Sequence, residues 1–189
     1  MKYLDVDIIS KRLEFMGKEH QSLDEIVIDG KIYSFERRKL DDAISMIIPT
    51  SFEEMPLEIV KRKFPNEQRP KTIISCEDMR VCLLLDIVNG NDEILSERIE
   101  NMQAYVKRIA PANTFYTNGI YTLASGLQIG HFDYSYPAVD NDIYNITFIT
   151  DFEENEVLGW LVCPIEFREK WEPVFRLMIE SIEFIGVNE

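Results

Sequence analysis

The chain has 189 residues, 46% apolar and 11% aromatic, the composition of a folded globular protein and not of a disordered one. Thirty-four acidic residues against 20 basic give a net charge of −14, a surface that repels nucleic-acid phosphates and anionic lipid headgroups. That balance excludes a nucleic-acid reader, and with no run of about 18 apolar residues no membrane-spanning helix is expected.

Residues 1–24 form an N-terminal extension, in which Leu4, Val6 and Ile8 alternate like a short strand and Leu13, Phe15 and Met16 cover a helical turn. The acids Asp5 and Asp7 stand where a signal peptide needs an unbroken apolar stretch, so the expected location is cytoplasmic. From residue 25 to 189 the pattern reads as one domain. Glu25-Ile26-Val27-Ile28 and Lys31-Ile32-Tyr33-Ser34-Phe35 flank Asp29-Gly30, a strong hairpin signal because a type I′ turn needs positive φ at both central residues. A third strand, Ala43 to Ile48, stops at Pro49. Ser51-Phe52-Glu53-Glu54 resembles a capping box, but Pro56 would then lie inside the helix. A turn at 51–54 and a short helix from Pro56 to Lys63 are expected instead.

Residues 71–87 read as a second hairpin whose later arm, Val81 to Ile87, is apolar on both faces and therefore central in a sheet. Asn91 or Asp92 can cap the helix expected over 93–109. There Leu95, Ile99, Met102, Val106 and Ile109 make one apolar stripe, with acids early and bases late. Strands follow at about 114–123, 127–136, 142–150 and 157–163, with turns at Asn118-Gly119 and Ser125-Gly126. The closing helix carries Trp171, Val174, Met178 and Ile182 on one face and should begin near Glu172, because Pro173 fits only a helix start. The fold class is thus α+β: an antiparallel sheet flanked by helices on both faces, an α/β/α sandwich.

This order of elements resembles the PsbP-like superfamily, which includes the extrinsic photosystem protein and the Ran-binding nuclear import factor of the Mog type. The strand ending in Pro49, the short helix Pro56–Lys63, the hairpin and long helix, and the closing helix entered by Trp171-Glu172-Pro173 and ended by Ser181-Ile182 carry the resemblance. The segment Lys63-Phe64-Pro65-Asn66-Glu67-Gln68-Arg69-Pro70 is similar to a stretch of small proteins of Firmicutes. The resemblance implies a binding or assembly factor without catalysis and assigns no site residue.

Chemistry-bearing motifs are few. His131, Asp133 and Ser135 alternate onto one strand face, where a carboxylate could orient an imidazole beside a nucleophile. Neighbours on one strand rarely converge on one reacting atom, and a solvent-exposed polar face is the plainer expectation. Cys76, Cys82 and Cys163 are odd in number and lack paired spacing, so they read as buried, reduced thiols and not as a zinc site. Asp140-Asn141-Asp142 lacks the glycine and terminal glutamate of a calcium loop and reads as a β-turn. No nucleophile elbow, phosphate loop, dinucleotide fingerprint or paired-histidine zinc motif is present. No metal and no cofactor are expected. Lys61, Lys63, Phe64 and Arg69 break the acidic field and are the candidate partner-binding residues. The sequence therefore points to a non-catalytic bacterial protein-binding or assembly factor, such as an immunity or chaperone partner of a basic protein. The alternative is a small-molecule binder or enzyme with its site near His131 and Asp133.

Overall fold

The computed structural model describes residues 23–185 apart from Asp29 and Asn91. The expected strand and helical turn within residues 1–24, and the Asn91 cap, lie outside the described residues. In chain order the first elements are β1 (Leu23–Ile28), β2 (Lys31–Lys39), β3 (Ile44–Pro49), β4 (Glu53–Glu54), α1 (Leu57–Lys63), β5 (Thr72–Ser75) and β6 (Cys82–Asn89). They are followed by α2 (Leu95–Ile109), β7 (Thr114–Thr122), β8 (Gln128–Tyr136), β9 (Ile143–Phe152), β10 (Asn155–Pro164), α3 (Arg168–Glu180) and β11 (Glu183–Phe184). Contacts divide the chain into two compact units. One runs from Phe52 to Arg168, and the other combines the described residues up to Ser51 with those from Glu169 onward.

The second of these units holds a four-stranded antiparallel sheet, ordered β1-β2-β3-β11. Gly30, in the β1–β2 hairpin, has the positive φ of +76° that the turn needs. Arg37 ties the C-terminal segment to β3: its guanidinium donates to Ser45 Oγ at 3.2 Å and to the Ser181 carbonyl at 3.0 Å, and pairs with Glu183 at 3.0 Å. Helix α3 buries Trp171, Val174, Phe175, Met178 and Ile179, and Trp171 meets Tyr33 edge to face at 5.2 Å. The helix begins at Arg168 and not near Glu172, so Pro173 sits inside it. A 3₁₀ turn at Ile165–Phe167 leads directly into the helix, and Pro173, its sixth residue, lacks the N–H for one backbone bond.

The unit from Phe52 to Arg168 is a seven-stranded antiparallel sheet in the order β4-β5-β6-β10-β9-β8-β7. Glu53-Glu54, expected as a turn, pairs with Ser75 and Ile74 as the short edge strand β4. Asn118-Gly119, also expected as a turn, lies inside β7. Gly119 pairs with His131 on β8, and a Cβ there would meet the His131 ring at an ordinary 3.4 Å, so the dipeptide is held extended by its strand pairing and does not reverse the chain. The Ser125-Gly126 turn is present, with φ +86° at Gly126.

Register shows which side chains share a face. Leu84, Trp160, Thr147 and Phe132 lie in one row across β6, β10, β9 and β8, and Cys82, Val162, Asn145 and Tyr134 lie in the next. Helix α1 covers one end of this face, where Met55, Val60, Ile73, Cys82, Leu84 and Val162 form an apolar cluster. Helix α2 covers the other end, with Leu95, Ile99, Phe132 and Ile149. Both helices of this unit lie on the same face of the sheet. The stripe on α2 is buried most deeply at its start, and Ile109, at the other end, is 60% exposed. Helix α2 starts at Leu95 after an extended Ile94 that makes no side-chain cap. Its firmest anchor is Arg98, 4% exposed at its side chain, which forks onto Glu156 and, at 2.6 Å, Asp151. Burial disfavours the charged guanidinium, but the bonds to Asp151 and Glu156 outweigh it and raise its pKa.

Gly159 is the tightest point of the sheet. A Cβ there would stand 2.0 Å from the ring of Phe148, its partner on β9. Gly159→Ala must displace a fully buried ring and is expected to cost about 1–3 kcal/mol, read as a lowered midpoint in chemical denaturation. An unchanged midpoint would contradict this close packing.

Candidate functional site

Strand β8 turns His131, Asp133 and Ser135 to the face opposite α1 and α2. The expected solvent exposure of that face is not found: His131 is 5% exposed, Asp133 0% and Ser135 6%. The cover comes partly from an irregularity in β7. Register shifts between Phe115 and Asn118, and the extra length brings Tyr116 and Thr117 over β8. The other part is Arg168, whose guanidinium lies 3.5 Å from the centre of the Tyr116 ring and 5.1 Å from that of Tyr144.

Asp133 is the hub of this group. Its carboxylate accepts the Thr117 backbone N–H at 2.8 Å, the Thr117 hydroxyl, and the Tyr144 hydroxyl at 2.8 Å, and Arg168 stands 3.9 Å away. A carboxylate offers about four acceptor positions, and three of them are taken by these hydrogen bonds, with Arg168 adding an ion pair. Ser135 Oγ pairs with the Tyr116 hydroxyl at 2.9 Å. The His131 ring lies flat on Tyr121, with centroids 4.2 Å apart and planes 8° apart. The arrangement thus ties β7, β8 and β9 together through Asp133. Tyr116, Thr117, Tyr144 and Arg168 were not legible as members of this group. Only the β7 irregularity and the approach of Arg168 to β8 bring them there.

The basic candidates occupy the last turn of α1 and the loop after it. Lys61 and Lys63 are exposed, while Phe64 and Arg69 are partly buried. Lys63 donates to the Met79 carbonyl and, at 3.3 Å, to Cys82 Sγ, and lies 5.9 Å from the centre of the Phe64 ring. Phe64 packs on the α1 cluster, and Arg69 bonds back to the Asn66 carbonyl at 3.2 Å.

The three cysteines are free and buried. Burial, reinforced by the neighbouring Asp78, pushes the Cys76 thiol up to about 11. Burial also raises Cys163, and raises Cys82 despite the adjacent Lys63. On the helix-bearing face, burial raises Tyr134 and pushes Tyr136 to about 12. Among the described residues no group of three His, Cys, Asp or Glu side chains could hold a metal ion, and no helix is long and apolar enough to cross a membrane.

No family model matches the chain, and no curated protein matches it. Among solved structures it is similar to cyanobacterial PsbP (CyanoP) from Synechocystis sp. PCC 6803, with a TM-score of 0.60 and 10% identity over 85% of this chain and 98% of that one. The fold is PsbP-like. LpqN from Mycobacterium tuberculosis is also similar, with a TM-score of 0.52 and 11% identity over 92% of this chain and 96% of that one. At such identities the PsbP-like likeness concerns the fold alone, and the residues around Asp133 stand on their own geometry.

Asp133→Asn leaves a buried amide facing donors that need an acceptor. It is expected to cost about 2 kcal/mol or more in urea denaturation, and a loss below 0.5 kcal/mol would remove Asp133 from its role as a pin. The thiols generate a pH dependence. An unfolded cysteine ionises near 9.0, but folded Cys76 keeps its proton to about 11. Its contribution is therefore complete below pH 9 and lost as pH rises towards 11. The denaturation midpoint should fall across that window less steeply in Cys76→Ala than in the parent chain, and equal slopes would refute the assignment.

Proposed function

We propose that this PsbP-like chain is a non-catalytic protein-binding or assembly factor, acting as an immunity or chaperone partner of a basic protein in the bacterial cytoplasm. The observation that carries the reading is an acidic end on the seven-stranded sheet. The β9–β10 tip places exposed Asp151, Glu153 and Glu154 beside the β6–α2 loop, which carries exposed Asp92 and Glu93. A backbone bond from Gly90 to the Glu154 carbonyl, 3.0 Å long, holds loop and tip together. Gly90 is suited to that approach, since a Cβ there would lie 2.9 Å from the same oxygen. Arg98 answers Asp151 and Glu156 from within, so its charge is spent inside the unit. Ile94, 65% exposed, adds an apolar contact next to the acids. Such a surface suits a basic partner, with electrostatics steering the encounter.

The burial of Asp133 and the three hydrogen bonds it accepts weigh against turnover near His131 and Asp133. Lys61, Lys63, Phe64 and Arg69 form a secondary contact in this proposal, with exposed Lys61 its most available charge. The layered arrangement, with a helix on each face of the sheet, belongs to the same reading. It is supported by the burial of Leu83, Ile146, Phe148 and Leu161 on the face away from α1 and α2. The free buried thiols support a reducing compartment.

The test is affinity capture at low and high salt, comparing the parent chain with a variant carrying Asp92→Lys, Glu153→Lys and Glu154→Lys. A basic protein retained at low salt by the parent and lost by the variant supports the proposal. Equal retention by both, or none by the parent at any ionic strength, overturns it.

A further inference from the structure

The seven-stranded sheet ends in two unlike edges. Strand β4 is two residues long, both exposed glutamates, and short, charged strands are how a sheet edge is kept from pairing with another chain. Strand β7 is nine residues long and carries no charge, and among the described residues nothing pairs with its outer side. Its first half is a poor template, because the chain is irregular at Tyr116 and Thr117 and the Thr117 N–H already goes to Asp133. Asn118 to Thr122 run in regular register with β8.

The hairpin that closes this run fixes where its backbone groups point. The Leu123 N–H donates to the Leu127 carbonyl at 2.8 Å, so Leu123 turns to the neighbouring strand. Antiparallel pairs alternate, so Tyr121 and Gly119 also turn their N–H and C=O to β8, while Thr122, Ile120 and Asn118 turn theirs outward. All three are exposed, Ile120 by 40%. These outward donors and acceptors are what an added strand can satisfy.

Helix α2 sets the charge beside this edge. Its Gln103 is turned to β7, where Asn118 Nδ2 donates to Gln103 Oε1 at 2.9 Å, while Arg98 is turned the other way, to β9 and β10. Exposed Glu100, three residues before Gln103, shares its flank. It stands over the regular run, since neighbouring Ile99 reaches Gly130, the partner of Ile120. Lys107, four residues after Gln103, lies towards the irregular half. A second copy of this chain, paired with Asn118–Thr122 by two-fold symmetry, would bring the two Glu100 side chains towards each other and add a second charge of −14. A basic strand meets the same flank with opposite charge.

We propose that the β7 edge binds an extended segment of a basic partner, which adds to the sheet antiparallel to Asn118–Thr122. Residues of that segment opposite Asn118, Ile120 and Thr122 point to the α2 face, where Glu100 selects Lys or Arg. The residues between them lie beside Tyr121 on the other face, where β-branched apolar side chains fit. The inference rests on the binding role proposed above and supplies its mode of recognition.

The experiment is a ¹⁵N NMR titration of the full chain with the peptide acetyl-Thr-Lys-Val-Lys-Val-Lys-Thr-amide. Its control is the same peptide N-methylated at the lysine backbone nitrogens, which keeps every charge and removes the pairing donors. Saturable shifts and slowed exchange of the Asn118, Ile120 and Thr122 amides are expected, with the plain peptide bound about tenfold or more tightly. Glu100→Lys should weaken it about threefold. Ile120→Pro should abolish binding, and if that variant does not fold, the two peptides on the parent chain decide. Equal affinity for the two peptides, or no saturable shift at these amides, overturns the proposal. So does protection of these amides in the peptide-free chain: constant protection assigns the edge to another part of the chain, and protection that rises with protein concentration assigns it to a second copy. Capture of a basic protein that Ile120→Pro retains and the triple lysine variant loses overturns strand addition and leaves the binding role standing. Peptide addition with no captured protein does the reverse.

Discussion

The strands at the centre of the seven-stranded sheet are buried on both faces, and most features of this unit follow from that constraint. A side chain on β8, β9 or β10 has little water to turn to, so a polar group there needs a protein partner. Asp133 meets the requirement with Thr117, Tyr144 and Arg168. Glu156 meets it with Arg98, and Thr150 donates to the Gln128 carbonyl. Each solution also joins elements: the first gathers β7, β8 and β9, and the second fastens α2 to β10. Gly159 answers the same constraint by steric means, since only a residue without Cβ leaves room for Phe148.

The same constraint separates two kinds of polar residue that look alike in one dimension. His131, Asp133 and Ser135 have the side chains of a hydrolytic set, yet inside the sheet they act as fasteners. The acids of the β9–β10 tip and the β6–α2 loop lie where strands end and water begins. They remain exposed, and their common sign makes them a surface that can act at a distance.

Much of the secondary structure was legible from local rules. Gly30 and Gly126 marked turns, Pro49 ended a strand, and the spacing from Leu95 to Val106 announced a helix lying on a sheet. The misreadings share a cause. Asn118-Gly119 was taken for a turn because its composition is that of one, but pairing with Phe132 and His131 on the neighbouring strand keeps it extended. Glu53-Glu54 became a strand through pairing with β5, which no local preference favours. Pro173 lies inside α3 because the helix starts at Arg168, directly after a 3₁₀ turn, and not near Glu172. The candidate residues on β8 were placed on one face correctly by alternation, but their burial was not visible. Tyr116 and Arg168, which cover them, are distant in sequence and reach β8 only through the bulge in β7 and the path after β10.

By itself the sequence determined the class of the protein: an acidic α+β chain dominated by antiparallel strands, with its turns, its apolar stripes and its PsbP-like order of elements. These depend on periodicity and on backbone preferences, which act over a few residues. Only the tertiary structure decided that α1 and α2 share one face and that Asp133 is buried and bonded to β7 and β9. It also decided that the acids gather at one end of the seven-stranded sheet. Those outcomes depend on which strands pair and in what register. Register is set by the summed fit of many side chains across the sheet, a quantity that no single segment contains.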